Sequence, residues 1–401
     1  MRYFLGLANC DFREVGRAPE TKERGQAWPD APLRRGRGSA GEDEAVSEDR
    51  QERFGGTGAV RAGHGFEVAA LDAWMQAHVA GYAGPLSVEQ FKGGQSNPTY
   101  RLVTPTRAYV LRRKPPGTLL PGAHAVEREY RVLAALGQAG FPVAPVHGLC
   151  EDAGVIGTPF YVMDMVEGRI FWDSTLPALT PQERPAYFDA MNAAIAQLHG
   201  IDPQAIGLGD YGKPGSYFAR QIARWSRQYR EDEAAGRNDD MDWLADWLPG
   251  QIPAGDETTI VHGDFRADNM IWHPTEPRIL AVLDWELSTL GHPLADFTYH
   301  LMMYHLPPHI IGGFKGADLV ALNIPSQADY VAAYCARTGR DGIDNLPFYL
   351  AFNMFRFAAI IHGIKGRMTR GTASSPEAQS LVDTLPELAA IGRRTAQGQG
   401  R

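Results

Sequence analysis

Apolar residues recur along this chain at different spacings, and each spacing predicts a different element. In "FEVAALDAWMQAHV", Val68, Leu71, Trp74 and Val79 fall near helical spacing, which predicts an amphipathic helix opening the ordered region at about Phe66. Three short runs follow, "LSVEQFKG", "TYRLVTP" and "AYVLRRK", separated by Gly-, Pro- or Thr-rich turns, and they read as an antiparallel meander. "AHAVEREYRVLAAL" returns to helical spacing, "TPFYVMDMVEG" is strand-like, and after Gly168 the pattern is mainly helical. A strand-rich half followed by a helix-rich half predicts two lobes with a cleft between them. Ahead of Phe66, stretches such as "RRGRGSAGEDEAVSEDRQERFGG" are polar and aperiodic. The expected division is therefore a disordered leader over 1–65, a strand-rich lobe over 66–163, a mainly helical lobe over 164–392 and a frayed tail over 393–401.

Composition narrows the class. Apolar residues make up 44% and charged residues 21% of the 401 positions, the balance of a globular protein long enough for two cored lobes. No apolar run approaches the roughly 20 residues that cross a bilayer, and "MRYFLGLANCDFREVGR" lacks the order of a secretory signal. Cys10, Cys150 and Cys335 are odd in number, far apart and without metal-type spacing, which fits a reducing compartment and makes a cytoplasmic location the expectation. A net charge of -8 argues against a nucleic-acid partner.

The chemistry concentrates in "IVHGDFRADNMIW", Ile260 to Trp272. Thr258 to Val261 suits a buried strand ending at His262-Gly263, with Asp264 on the loop beyond it. "MIW", the turn "HPTEPR" and "ILAVLDWE" predict a hairpin. The start of a hairpin's first strand lies beside the end of its second, so Asn269 and Asp284 come together with Asp264 one short loop away. Two carboxylates and an amide oxygen are hard ligands, suited to a Mg2+ that keeps some waters and binds substrate phosphates. Phosphoryl transfer uses such a set: one Asp accepts a hydroxyl proton while another Asp and an Asn hold the metal. Read singly, Asp264 could cap a helix and Asn269 could end a turn.

"HGDFRADN" followed by "LDWE" resembles the H-x-D-x-x-x-x-N and metal-binding Asp of protein kinases, in the form seen in the aminoglycoside phosphotransferase and choline kinase-like family. The resemblance runs from about Phe66 to Leu388. It implies an α+β, bilobal protein-kinase-like fold with ATP and Mg2+ as cofactors. It makes Asp264 the catalytic base, Asn269 and Asp284 the metal ligands, and Arg266 a contact of the transferred phosphate. His262 then supports the loop, and Asp296 in "HPLADF" braces it.

The strand-rich half must then supply the nucleotide site. "KGGQSNPTY" offers Gly93, Gly94, Ser96 and Asn97 as donors to phosphate. It departs from the protein-kinase G-x-G-x-x-G and, read alone, is a turn. In "YVLRRK", alternation sends Arg112 and Lys114 to one face and Arg113 to the other. The resemblance makes Arg112 the phosphate cation, where the antibiotic-resistance enzymes more commonly carry Lys. Glu129 falls within the buried stripe of Val126, Tyr130 and Leu133, whereas Glu127 points away. A buried carboxylate needs a partner, and Arg112 is the natural one; the other reading leaves Glu129 at the stripe's edge, reaching solvent. "FYVMDMVEG" is the hinge between lobes, its backbone near Met163 to Met165 meeting adenine by the resemblance. Those Met residues read equally as core.

The last quarter of the chain bears on the acceptor. Residues 301–401 hold ten Lys/Arg against seven Asp/Glu, a net of +3 within a chain of net -8. That bias disfavours a polycationic aminoglycoside and suits an anionic small molecule. Lys365, Arg367 and Arg370 in "GIKGRMTRG" are the candidate anchor, or else a solvated helix end. "GRIFWDSTLP" and "DWELSTLGHPLADF" more closely resemble the kinase-like domain that some eukaryotic proteins join to an acyl-CoA dehydrogenase domain, and its free-standing bacterial relatives. That likeness implies transfer to a hydroxyl of a hydroxy acid or hydroxyacyl-CoA. The alternatives are an aminoglycoside or macrolide phosphotransferase and a non-catalytic nucleotide-binding pseudokinase. His300, His305 and His309 lack a shared helical face and a nearby Cys, which makes them a poor metal set. "YLAFNMFRFAAIIHGI" reads as a packed core helix.

Overall fold

The computed structural model describes residues 56–92, 97–117, 124–371 and 376–399. The first lobe contains β1 (Thr57–Gly58), α1 (Val68–His78), β2 (Ser87–Phe91), β3 (Thr99–Val103), β4 (Ala108–Arg113), α2 (Val126–Gln138), β5 (Val146–Cys150), α3 (Ala153–Ile156) and β6 (Phe160–Asp164). Its strands form one antiparallel sheet in the order β1-β2-β3-β4-β6-β5. The expected meander is β2-β3-β4. Two further strands escape the pattern reading, because β5 is interrupted by His147 and Gly148 and β1 is two residues long.

Structure begins earlier than Phe66. Residues 56–65, expected within the leader, carry β1, whose Thr57 pairs with Phe91. Arg61 donates its backbone N–H to Gln90 Oε1 at 2.9 Å, and the Tyr100 hydroxyl donates to the His64 carbonyl at 2.8 Å. The rest of the expected leader, residues 1–55, lies outside the described residues, as do Gly93, Gly94 and Ser96.

Alternation along β4 sets the two faces of the sheet. Tyr109 and Leu111 join Leu71 and Met75 of α1 in a small apolar core. Arg113 shares that face, its guanidinium 5.4 Å from the Phe66 ring. Val110 and Arg112 face the cleft instead, and Lys114, just past the strand, pairs with Glu127 at 2.9 Å. On the cleft side, Val126, Val132, Leu133 and Leu136 of α2 belong to the same apolar cluster as the second lobe. One continuous core therefore ties α2 to the helices beneath it.

The second lobe holds α4 (Arg184–Gly200), α5 (Tyr217–Glu231), α6 (Asp239–Trp247), β7 (Thr259–Val261), β8 (Met270–Trp272), β9 (Ile279–Val282), β10 (Thr289–Gly291), α7 (Pro293–Leu301), α8 (Leu319–Leu322), α9 (Gln327–Thr338), α10 (Leu346–Thr369), α11 (Pro376–Asp383) and α12 (Leu385–Ala396). Helix α10 is buried on all sides from Phe348 to Ile364, as an apolar circumference requires. The predicted hairpin is β8-β9, and β7 pairs with β10, so the loop 262–269 hangs between two small antiparallel pairs. No helix among the described residues is long and apolar enough to cross a membrane.

Candidate active site

The loop after β7 is pinned from behind. Gly263 has φ +86°, and a Cβ there would meet the Leu287 carbonyl oxygen at 3.0 Å, so the turn requires glycine. The backbone N–H groups of His262 and Gly263 donate to the two oxygens of Asp296 at 2.7 and 2.8 Å, and His199 Nε2 lies 3.3 Å from the same carboxylate. Burial alone raises the Asp296 pKa, but the bonds and charges from His199 and His262 outweigh it and hold the group below the usual aspartate range. His262 accepts the Asp264 N–H on Nδ1 at 3.2 Å, which leaves Nε2–H to donate to the Leu283 carbonyl at 2.8 Å.

Asp264 is 3% exposed. Its Oδ1 accepts from the Tyr299 hydroxyl at 2.8 Å and lies 3.2 Å from Arg266 Nε, while its Oδ2 accepts from Asn269 Nδ2 at 3.1 Å. Burial pushes the Asp264 carboxyl above its ordinary range against the pull of the Arg266 charge. Arg266 is buried too and extends to Asp268 at 2.7 Å, so one guanidinium spans two carboxylates. Asn269 also donates to the Asp264 carbonyl at 2.9 Å, which closes the loop on itself.

The hairpin performs the expected juxtaposition. Met270 pairs with Val282, and the Leu283 N–H donates to the Asn269 carbonyl at 2.8 Å, so Asn269 sits beside the residue that precedes Asp284. Asp284 holds a left-handed backbone, φ +67°, which is uncommon outside glycine. Arg112 reaches it from the sheet: Nη2 lies 3.2 Å from Asp284 Oδ1 and 3.4 Å from Glu286 Oε2, while Nε meets Glu129 at 2.8 Å. Glu129 further accepts from Asn97 Nδ2 at 2.7 Å and the Tyr161 hydroxyl at 3.1 Å. Burial raises the pKa of Glu129 and, to a greater degree, that of Glu286, where the neighbouring Asp284 charge adds to the effect.

Asn97 differs from expectation. It is fully buried, and its amide is committed to Glu129 and, at 2.9 Å, to His124 rather than presented to a phosphate. Glu286, Tyr299 and Arg356 were not singled out from sequence. Glu286 carries a faint signal, two residues past Asp284 at the end of a strand. Tyr299 and Arg356 lie on α7 and α10 with no local motif. Arg356 directs both terminal nitrogens at the Gly263 carbonyl, 3.3 and 3.4 Å away, with its guanidinium 5.6 Å from the Tyr299 ring.

Two cavities meet here. The larger, about 480 Å³, lies under the sheet against Val110, Arg112, Met163, Met165, Val282 and Asp284. Met163 lies inside β6, opposite Val110 and Val146, and Met165 follows the strand. The smaller, about 250 Å³, is lined by Arg128, Arg224, Arg356 and Glu286 among others, and Glu129 and Trp285 border both cavities. Lys365, Arg367 and Arg370, the expected anion anchor, line neither, and Arg370 pairs with Asp232 at 2.5 Å. His300 instead bonds Tyr330 inside the core, where burial lowers its pKa to about 4, and His309 pairs with Glu387.

The donor set suits a hard cation. No three His, Cys, Asp or Glu side chains form a metal cluster among the described residues, so a metal would rely on Asp284, Glu286, the Asn269 amide and ligand phosphates. One cationic nitrogen of Arg112 already bridges Asp284 and Glu286, which shows that the field there favours positive charge. A buried carboxylate beside these groups can take a hydroxyl proton, and cations aimed into the cleft can hold phosphate oxygens.

A strand-rich lobe above a helical lobe, with this loop and hairpin at the cleft, is a bilobal protein-kinase-like fold built for phosphotransfer to a hydroxyl group. Known proteins narrow the class. The chain belongs to the phosphotransferase enzyme family, whose family model matches residues 87–341. A solved putative aminoglycoside phosphotransferase from Ralstonia eutropha JMP134 is 53% identical, with a TM-score of 0.78 over 83% of this chain and 99% of that one. Mouse acyl-CoA dehydrogenase family member 10 is 48% identical over 76% of this chain and 29% of its own length. Chicken acyl-CoA dehydrogenase family member 11 is 44% identical over 84% and 44% respectively. The chain thus spans less than half of these curated relatives. A spectinomycin phosphotransferase solved with ADP and spectinomycin is 12% identical with a TM-score of 0.55, over 82% of this chain and 99% of that one, and shows the shared fold.

Proposed function

We propose that this small-molecule kinase transfers the γ-phosphate of ATP, with Mg2+, to a hydroxyl of a hydroxy acid or hydroxyacyl-CoA. The observation that carries the reading is the placement of buried Asp264, held by Tyr299, Asn269 and Arg266, on the loop that Arg356 ties to the smaller cavity. In this reading the larger cavity takes the nucleotide, with the backbone around Met163 and Met165 at the adenine. Arg112, oriented by Glu129, meets its phosphates. A divalent ion on Asn269, Asp284 and Glu286 supplies neutralisation of phosphate charge. Asp264 orients the acceptor hydroxyl and takes its proton, and Arg266 compensates charge on the moving phosphoryl group.

The acceptor class rests on charge and kinship. The relatives named as acyl-CoA dehydrogenase family members place a similar segment beside acyl chemistry. An antibiotic acceptor is the second reading, favoured by the Ralstonia protein's description as a putative aminoglycoside phosphotransferase. The arginines of the smaller cavity weigh against a polycationic sugar. Incubation with labelled ATP, Mg2+ and a panel of hydroxy acids, their CoA esters, aminoglycosides and macrolides, read by product mass, tests the assignment. Product from a hydroxy acid or its ester is expected. Product from an antibiotic alone would overturn it in favour of the second reading.

A further inference from the structure

The smaller cavity draws one arginine from each of three helices far apart in sequence: Arg128 on α2, Arg224 on α5 and Arg356 on α10. Arg128 and Arg356 are held by carbonyls and rings rather than by carboxylates. Arg131, Arg230, Arg237, Arg340, Arg370 and Arg393 each pair with a carboxylate. Arg128 uses only Nη2, on the carbonyls of Tyr211 at 2.8 Å and Ser288 at 3.5 Å, and lies 4.2 Å over the Tyr211 ring. Arg356 is 9% exposed and touches one carbonyl and one ring. Neither has an acidic partner among the described residues. A guanidinium as buried as that of Arg356 is unfavourable without a counter-ion unless something anionic completes it, whereas Arg128 is exposed at the cavity.

The acids that line the same cavity do not supply that counter-charge. Glu129 and Glu286 both turn to Arg112 on the nucleotide side. The wall is mostly polar, with Ser288, Thr289 and Gln221 beside the arginines, which suits a charged headgroup better than an alkyl tail.

On the kinase reading above, we infer that Arg128, Arg224 and Arg356 are the specificity-determining residues of the acceptor site, reading a carboxylate or phosphate group of the hydroxylated substrate. The arrangement explains the position as well as the charge. Arg356 holds the carbonyl of Gly263, the residue before Asp264, so an anion on Arg356 is registered against the loop that bears the proposed base. Arg128 adjoins Glu129 on the first turns of α2, so the same helix serves both cavities. Guanidinium forks match either a carboxylate or a phosphate, and the source, a free acid or the CoA portion of a thioester, is a matter for the test.

Calorimetric titration of the full chain with hydroxybutyrate, hydroxybutyryl-CoA and methyl hydroxybutyrate separates the possibilities, because binding is read without turnover. Arg224→Gln is the primary variant, since its side chain is half-buried on α5; Arg128→Gln is the second. Each is expected to weaken the preferred anionic ligand about tenfold or more, the worth of a charge-assisted contact, while ATP affinity stays within about twofold of wild type. Loss confined to the free acid assigns a carboxylate, and loss confined to the thioester assigns CoA phosphates. The neutral ester should bind wild type poorly and be indifferent to both substitutions. Unchanged affinity for both anionic ligands in Arg224→Gln, or an equal loss for the ester, overturns the inference. Arginine-dependent binding without any phosphorylated product would leave this inference standing and remove the kinase reading instead.

Discussion

The two cavities share a wall at Glu129 and Trp285 yet are built from opposite materials. The one under the sheet takes Val110, Met163, Val166, Ile170 and Val282 into its lining, with ionic groups such as Arg112, Glu129 and Asp284 among them. The other is smaller and rimmed with guanidinium groups from three helices. A flat heterocycle is recognised by an apolar slot and backbone polar groups, whereas an anion needs fixed donors, so the contrast fits the proposed division between nucleotide and acceptor. It also localises function: the loop 262–269, which lines neither cavity, should affect transfer without affecting either binding event.

Asp264→Asn is the sharpest way to break that division. Asparagine keeps an oxygen for Tyr299 and loses the charge, the basicity and the acceptor that Asn269 Nδ2 uses. Turnover should fall by about a thousandfold, the scale of a lost general base, with ATP affinity and melting temperature near wild type. Equal loss of binding in either cavity would erase the distinction between them. Arg112→Met should act on the nucleotide side. It strands Glu129, Asp284 and Glu286 without their shared cation, so a cost of about 3–5 kcal/mol is expected, measurable by denaturant unfolding, together with weakened ATP binding. Acid binding in the smaller cavity should survive in the folded fraction. A smaller effect is expected at Gly168, on the floor of the larger cavity, where a Cβ would stand 2.2 Å from the Trp272 carbonyl oxygen. Arg169 and Trp272 exchange backbone hydrogen bonds at 2.8 Å there, so Gly168→Ala must displace that bridge, at about 1–3 kcal/mol. Thermal unfolding and nucleotide affinity should move together, again without change at the arginines.

The nucleotide side and the loop could be read from sequence because their logic is local. Alternation on β4 selects Arg112, the period of α2 selects Glu129, and a hairpin joins Asn269 to Asp284; each needs a window of some twenty residues or fewer. The structure brings Arg112 and Glu129 to 2.8 Å. The arginine-lined cavity has no such logic. Arg128, Arg224 and Arg356 span more than two hundred residues of sequence, and only tertiary packing brings them to one cavity. A regional charge count registered a basic excess but pointed to Lys365, Arg367 and Arg370, fourteen residues beyond Arg356 at the furthest. At 1.5 Å per residue that is about 21 Å along the helix, too far to share a small pocket. Asn97 was misread for a related reason. A polar residue in a Gly-rich turn looks like a ligand donor, and nothing local shows that Glu129 is its partner.

The finest test of the comparison lies at Tyr299, which lines neither cavity but bonds Asp264 at 2.8 Å. Burial, chiefly, raises the Asp264 pKa, while Arg266 and then the Tyr299 hydroxyl pull it back down. A carboxyl whose folded pKa exceeds its unfolded value contributes stability below the unfolded value and loses it as pH rises through the folded one. Catalysis runs the other way, because a base must be ionised to accept a proton. The acidic limb of turnover against pH should therefore lie above the ordinary aspartate range, near about 4, and Tyr299→Phe should shift that limb further upward by removing a bond that favours the ionised form. At neutral pH the variant should lose about fivefold in turnover, the worth of one neutral hydrogen bond of about 1 kcal/mol, with both dissociation constants unchanged. An acidic limb that stays fixed in Tyr299→Phe would mean that a group other than Asp264 sets it. In that case the boundary between the cavities is drawn in the wrong place.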